Sequence, residues 1–171
     1  MSGKRNIVLI GLSGCGKSTF AKRLGARYHM PVFDMDQAIV QSSGKSVADI
    51  FAEEGEKGFR DRETDIAKRC GQMEGTVIST GGGVVLRPEN MAALKVNAVV
   101  VFLDRAPEEI LGEDLSDRPL VADDQQKIYR LREERLALYT RYADLIVHNR
   151  KTKDGTEAAL VEALKGLIKT E

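Results

Sequence analysis

Short apolar runs alternate with longer segments of helical period along this chain. The run NIVLI at 6–10 reads as a buried strand, and the segment from Lys17 to about Tyr28 reads as a helix. PVFD at 31–34 is a short strand, and a long helical region runs from Ser46 to about Cys70. Ser46 followed by Asp49 has the spacing of a capping box at its start. TVIST at 76–80 predicts a third strand that ends in GGG, and a short helix follows Pro88. AVVVFLD at 98–104 is apolar without a break, as expected of a strand with helices over both faces. A helix over Asp123 to about Tyr142, a strand DLIVH at 144–148 and a last helix from near Asp154 complete the pattern. In that last helix Glu157 takes the capping position, and Leu160, Leu164, Leu167 and Ile168 share one face. Strands alternating with helices predict an α/β fold built on a parallel sheet.

Composition narrows the partners. The 171 residues fit one domain, and a hydrophobic fraction of 42% supports a real core. Lysine plus arginine equals aspartate plus glutamate, 26 each, so the chain has no global footprint for nucleic acid or an anionic membrane. Any anion recognition is therefore local. The N-terminal apolar run is too short for a signal peptide, and no apolar stretch approaches the ~18 residues of a membrane span. The two cysteines, Cys15 and Cys70, are expected to be reduced thiols of a cytoplasmic enzyme.

The densest chemistry lies in GLSGCGKST, residues 11–19. Gly11, Gly16, Lys17 and Ser18 match G-x-x-x-x-G-K-[ST], placed between a predicted strand and a predicted helix. Glycines let the backbone wrap an anion, and the following helix adds the positive end of its dipole. Lys17 would reach the terminal phosphates, and the Ser18 hydroxyl would ligate Mg²⁺. The loop therefore points to a nucleotide, ATP first. No N-K-x-D base-recognition motif accompanies it, which argues against a GTPase switch.

Other groups gather at predicted strand ends, where open α/β sheets bind ligands. Asp34 and Asp36 in DMD would point the same way in extended backbone. One could reach Mg²⁺ through water, and the other could take the proton of an attacking hydroxyl. Asp36 also fits a plain helix cap before QAIVQ. Gly81, Gly82 and Gly83 suit a close backbone approach to a ligand. Arg118 in SDRPL could close over a transferring phosphate, or be a solvated loop charge. From spacing alone, Arg60 and Glu63 read as a surface salt bridge and Arg135 as a surface residue. Asp104, at the end of a strand like a Walker B strand, reads better as a polar strand terminus than as a Mg²⁺ ligand. Cys15 reads as a small space-filling residue.

Taken in order, GLSGCGKST, DMD, GKSVADIFAEEGEKGFRDRE, STGGGVVLRPEN, DRPLV and ERLALYTRYADLIV resemble shikimate kinases over nearly the whole chain. The resemblance implies a three-layer P-loop kinase fold, related to nucleoside monophosphate kinases, with a five-stranded parallel sheet. It implies a single domain over 1–171, with a lid at about 112–124 and a substrate-binding helical region at about 35–62. It further implies ATP-dependent phosphorylation of the 3-hydroxyl of shikimate, on the way to chorismate and aromatic amino acids, by a monomer. By position, Gly14, Cys15, Gly16, Lys17, Ser18, Thr19 and Arg118 would hold ATP. Ser18 and, through water, Asp34 would hold Mg²⁺. Asp36, Arg60, Gly82 and Arg135 would bind shikimate, with Glu63 steadying Arg60. Asp36 would be the base, assisted by Lys17 and Arg118. One departure stands out. Shikimate kinases usually carry a second arginine early in the lid, whereas this chain has no basic residue between Arg105 and Arg118. It has Glu108, Glu109, Glu113, Asp114 and Asp117 there instead, so weaker nucleotide binding or a different lid register is expected. Two rival readings are a kinase for another polyol acid such as gluconate, and a nucleotide-binding module without turnover.

Overall fold

The apolar runs become strands because both of their faces are covered. In the computed structural model, which describes residues 4–112, 125–149 and 152–169, Asn6–Ile10 (β1) is buried at every position. Ile7 and Leu9 join one core cluster, and Val8 and Ile10 join another on the opposite face. Ala98–Asp104 (β4) divides the same way, with Val99, Val101 and Leu103 on one face and Val100 and Phe102 on the other. Burying one such side chain contributes about 1.5–3 kcal/mol, so the two-sided strands carry much of the stability.

Lys17–Tyr28 (α1) and Lys153–Leu164 (α7) cover the first face through Phe20, Leu24, Leu160 and Leu164. Met35–Ser43 (α2), Val47–Cys70 (α3), Pro88–Leu94 (α4), Pro107–Leu111 (α5) and Gln126–Tyr142 (α6) supply residues to the second. With Val32–Asp34 (β2), Val77–Ser79 (β3) and Leu145–His148 (β5), the strands form one parallel sheet ordered β2-β3-β1-β4-β5. The chain leaves β1 toward β3 and β2 on one side and returns to β4 and β5 on the other. That reversal opens a crevice beyond the carboxyl end of β1.

Local details correct several expectations. The short helix after DMD is capped by Asp34, whose carboxylate accepts from the Gln37 amide at 3.1 Å; Asp36 lies in its first turn and is not the cap. The long helix α3 is broken at Gly55, which has φ 73° and ψ 179°. Ser46 caps it as expected, accepting from the Asp49 amide at 3.1 Å. The last helix starts at Lys153 and is capped by Thr152, while Glu157 pairs with Arg23 at 3.6 Å. The helix ends at Leu164, so of the expected face only Leu160 and Leu164 lie on it and are buried; Leu167 and Ile168 fall beyond its end, the first exposed and the second buried. The expected helical residues Asp123 and its neighbours before 125 lie outside the described residues, as do Arg118 and nearly all of the expected lid.

Candidate active site

The crevice is an open cleft of about 920 Å³. The phosphate-type loop between β1 and α1 forms its floor, with Gly14, Gly16, Lys17, Ser18 and Thr19 at its surface. Gly16 has φ 107°, and a Cβ there would come within 2.9 Å of Asn149 Nδ2, so glycine is required on both counts. Cys15 of the same loop is fully buried and packs into the core with Phe20 and Leu24, as a space-filling residue. Only its backbone is left to face a ligand. The Lys17 ammonium is buried and donates to the carbonyls of Gly11 at 2.6 Å and Leu12 at 2.9 Å.

Beside the loop, hydroxyl and carboxylate oxygens converge. Ser18 Oγ donates to Asp34 Oδ2 at 3.0 Å and lies 3.5 Å from Ser79 Oγ at the end of β3. Among the described residues no cluster of three histidine, cysteine, aspartate or glutamate side chains is arranged to hold a metal. A hydroxyl and one carboxylate fit Mg²⁺, which keeps much of its water and takes phosphate oxygens, better than a cation needing a full protein cage. Sequence reasoning does not single out Ser79. Its position at a strand's carboxyl end, next to the glycine run, is the available signal.

The glycine run turns the chain between two charged groups. A Cβ on Gly81 would lie 2.8 Å from Asp36 Oδ1 and 2.9 Å from Glu63 Oε2. A Cβ on Gly83 would overlap the Arg60 guanidinium outright. A Cβ on Gly82 would stand 3.2 Å from the Ser13 amide nitrogen and 3.5 Å from Arg135 Nη1. Gly82 also accepts a hydrogen bond from the Tyr139 hydroxyl at 2.5 Å, and Tyr139 stacks on Phe102 with ring centroids 5.0 Å apart. Tyr139 lies one helical turn beyond Arg135, and that spacing puts both on one face, but the sequence alone gives it no role.

Arg60 and Glu63 are buried, at 6% and 0% exposure, with Arg60 Nη1 donating to Glu63 Oε1 at 3.0 Å. Arg135 is buried too, at 7% exposure. The surface readings of this pair and of Arg135 are therefore wrong. Three-residue spacing says that two side chains are neighbours on a helix, not which way that face points. Asp36 Oδ1, Glu63 Oε2 and Arg135 Nε are buried without hydrogen-bond partners. Such atoms are costly unless a ligand completes them. Burial, and then the nearby Asp34 carboxylate, push the Asp36 carboxyl above its ordinary range, against the pull of Lys17 and Arg60. Burial also raises the Glu63 carboxyl, opposed by Arg60. Asp104 is engaged at the far side of β4, 3.2 Å from His148 Nδ1 and 3.6 Å from Arg132, in keeping with a strand terminus. Leu111, just ahead of the expected lid, is partly buried against the core.

Comparison with known proteins agrees with this geometry. The family model described as shikimate kinase matches residues 13–165. A shikimate kinase of Clostridium beijerinckii is 40% identical over 85% of this chain and 86% of its own. One from Clostridium botulinum is 37% identical over 96% of this chain and 98% of its own. Among solved structures, the shikimate kinase from Acinetobacter baumannii in complex with shikimate superposes with a TM-score of 0.89 at 29% identity, covering 98% of this chain and 97% of that one. The Aquifex aeolicus shikimate kinase gives 0.82 at 32% identity, over 95% and 97% of the two chains. A sugar kinase from Janibacter shares the fold alone, at 16% identity and a TM-score of 0.63. With the match spanning loop, glycine run and buried arginines, this chain belongs to the shikimate kinase family.

Proposed function

We propose that this chain phosphorylates the 3-hydroxyl of shikimate with ATP, giving shikimate 3-phosphate and ADP, in the chorismate and aromatic amino acid pathway. One observation carries the assignment of roles. Asp36, Arg60, Glu63 and Arg135 surround the glycine run immediately beside the phosphate loop, and several of their buried polar atoms await partners.

Bound Mg-ATP supplies the phosphoryl group and neutralises part of its charge. Gly14–Thr19 and Lys17 would hold the phosphates, and Ser18 with Asp34 would hold the metal. Lys17 already sits buried at the loop, so its ammonium needs only to exchange carbonyl partners for phosphate oxygens. Arg60 and Arg135 would grip the acceptor's carboxylate, with Glu63 fixing the Arg60 fork. Asp36 would accept the proton of the attacking hydroxyl. The backbone at Gly82, held by Tyr139, would form the wall against which the acceptor lies. Catalysis is then mostly positioning and charge stabilisation, as phosphoryl transfer requires. Arg118, assigned to the phosphates through the lid, completes the set. The reading extends to a single domain with a lid at about 112–124 and a substrate region at about 35–62. It also extends to a monomer working in the cytoplasm, with no nucleic-acid or membrane partner, in line with the balanced charge.

ADP release from Mg-ATP with shikimate, with gluconate and with no acceptor tests the function. Shikimate-dependent ADP is expected. ADP with gluconate alone would move the substrate, and ATP binding without acceptor-dependent ADP would make the chain a binding module.

The glycine run gives a separate expectation. Gly83→Ala places a methyl where the Arg60 guanidinium lies, so Arg60 must leave its pairing with Glu63. KM for shikimate should rise by about tenfold or more, the scale of one charge-assisted hydrogen bond, with Mg-ADP binding unchanged. Steady-state kinetics against each substrate checks this, and an unchanged shikimate KM would mean that Arg60 does not touch the acceptor.

A further inference from the structure

The phosphate loop is held from behind by two side chains that none of the roles above uses. Arg105 follows β4 directly, and Asn149 follows β5 directly; Asp104 and His148, the last residues of those strands, are register partners. The two neighbouring strand ends thus present side-chain donors side by side. Arg105 Nη1 donates to the Gly14 carbonyl at 3.0 Å. Asn149 Nδ2 donates to the Cys15 carbonyl at 2.8 Å. The amide of Asn149 has one sensible orientation, because its Oδ1 accepts from Thr156 Oγ1 at 3.2 Å. Its backbone is fixed as well, with the amide donating to the Asp104 carbonyl at 2.7 Å.

Among the described residues, the carbonyls of Gly11, Leu12, Gly14, Cys15 and Gly16 then each accept a hydrogen bond. Lys17 takes Gly11 and Leu12, Arg105 takes Gly14, Asn149 takes Cys15, and the Phe20 amide takes Gly16. A carbonyl that swung toward a bound phosphate would repel it, whereas amide N–H groups attract it. When Lys17 turns to the phosphates, Arg105 and Asn149 are left as the side-chain restraints on the loop carbonyls.

We propose that Arg105 and Asn149 are positioning residues for the nucleotide. They pin the carbonyls of Gly14 and Cys15 away from the phosphates, so that the N–H groups of the loop stay turned to the cleft. Arg105, which also pairs with Glu109 at 3.8 Å, places a guanidinium against the phosphate loop, six residues ahead of Leu111 in a chain that has no basic residue early in the lid. This inference rests on the loop binding ATP phosphates, but not on shikimate being the acceptor.

The test is calorimetric binding of Mg-ADP, and separately of shikimate, to the full chain and to Arg105→Met, Arg105→Lys and Asn149→Asp. Asn149→Asp keeps the acceptor for Thr156 but turns an acceptor toward the Cys15 carbonyl. Arg105→Met and Asn149→Asp should each weaken Mg-ADP about tenfold or more, and shikimate by no more than about twofold. Arg105→Lys should recover most of the loss. A merely structural role would lower both affinities together and would not be rescued by lysine. Unchanged Mg-ADP affinity, or parallel loss of both ligands, overturns the proposal. If Asn149→Asp loses the native far-UV spectrum, Asn149→Ser replaces it, with the same affinity changes expected and the same two results overturning the proposal. A native chain that binds no Mg-ADP would overturn the kinase reading and this proposal together. A native chain that binds it but transfers nothing to shikimate would overturn the kinase reading alone.

Discussion

Asp36→Asn should leave Mg-ADP binding intact and lower the shikimate-dependent kcat by about 10²–10⁴-fold, the usual range for a lost general base. The asparagine keeps the shape of the side chain in the tight space against Gly81 but cannot take a proton. The native enzyme should also show an acid limb in kcat/KM. As the proposed base, Asp36 would work only as a carboxylate, and its burial and the neighbouring Asp34 raise the pH at which it ionises. Activity therefore rises with pH through a midpoint above the ordinary aspartate value of about 3.9. Stability moves with the opposite sign. The folded chain holds this proton more tightly than the unfolded chain does. The contribution is full below the unfolded value and is lost as pH rises through the folded one. Asp36→Asn removes that cost, so at neutral pH its melting temperature should equal or exceed the native one. A variant with native turnover and a lowered melting temperature would show Asp36 to be structural.

Lys17→Met should lower kcat by about 10²–10³-fold, on the scale of removing one preorganised partner of transition-state charge. The mechanism differs from that of Asp36. Methionine has similar reach but no charge, so the phosphates lose a cation. The Gly11 carbonyl also loses its ammonium donor. Shikimate binding in the absence of nucleotide should fall far less than turnover, because the proposed carboxylate-binding pair, Arg60 and Arg135, is unchanged and only the pull of Lys17 on Asp36 is lost. Kinetics and shikimate calorimetry on the same preparation check both halves. Native turnover in a folded Lys17→Met chain would remove the lysine from the reaction.

Some of the site is legible from the chain because local spacing and chemistry coincide there. The G-x-x-x-x-G-K-[ST] pattern between a strand and a helix places its own backbone, so Gly16, Lys17 and Ser18 lie in the cleft as read. DMD brings its two carboxylates to the end of β2, but not through the expected extended backbone: Asp34 ends the strand and caps α2, and Asp36 lies in the first turn of that helix. Spacing misleads at Arg60, Glu63 and Arg135. Each lies on a helix rich in charged residues, where a strand-like or helical period cannot say which charges turn inward. Resemblance to the family is what assigns them roles. Ser79, Tyr139, Arg105 and Asn149 escape because their partners are far away in the chain: Ser18, Gly82, Gly14 and Cys15.

Hydrophobic patterning and motif spacing suffice for the parallel α/β class, the two-sided burial of β1 and β4, and the glycine loop between β1 and α1. These follow from hydrophobic runs, helical period and glycine spacing, which act within a few residues. The strand order β2-β3-β1-β4-β5, the break at Gly55 and the turning of Arg60, Glu63 and Arg135 into the interior emerge only once the chain has folded. So does the backing of the phosphate loop by the ends of β4 and β5. A buried charge is tolerated only where partners and space compensate its desolvation, and beyond the local Arg60–Glu63 pair these come from distant parts of the chain. Glycines 81–83 supply the room and Asp36 part of the charge, and that meeting exists only after the sheet has assembled.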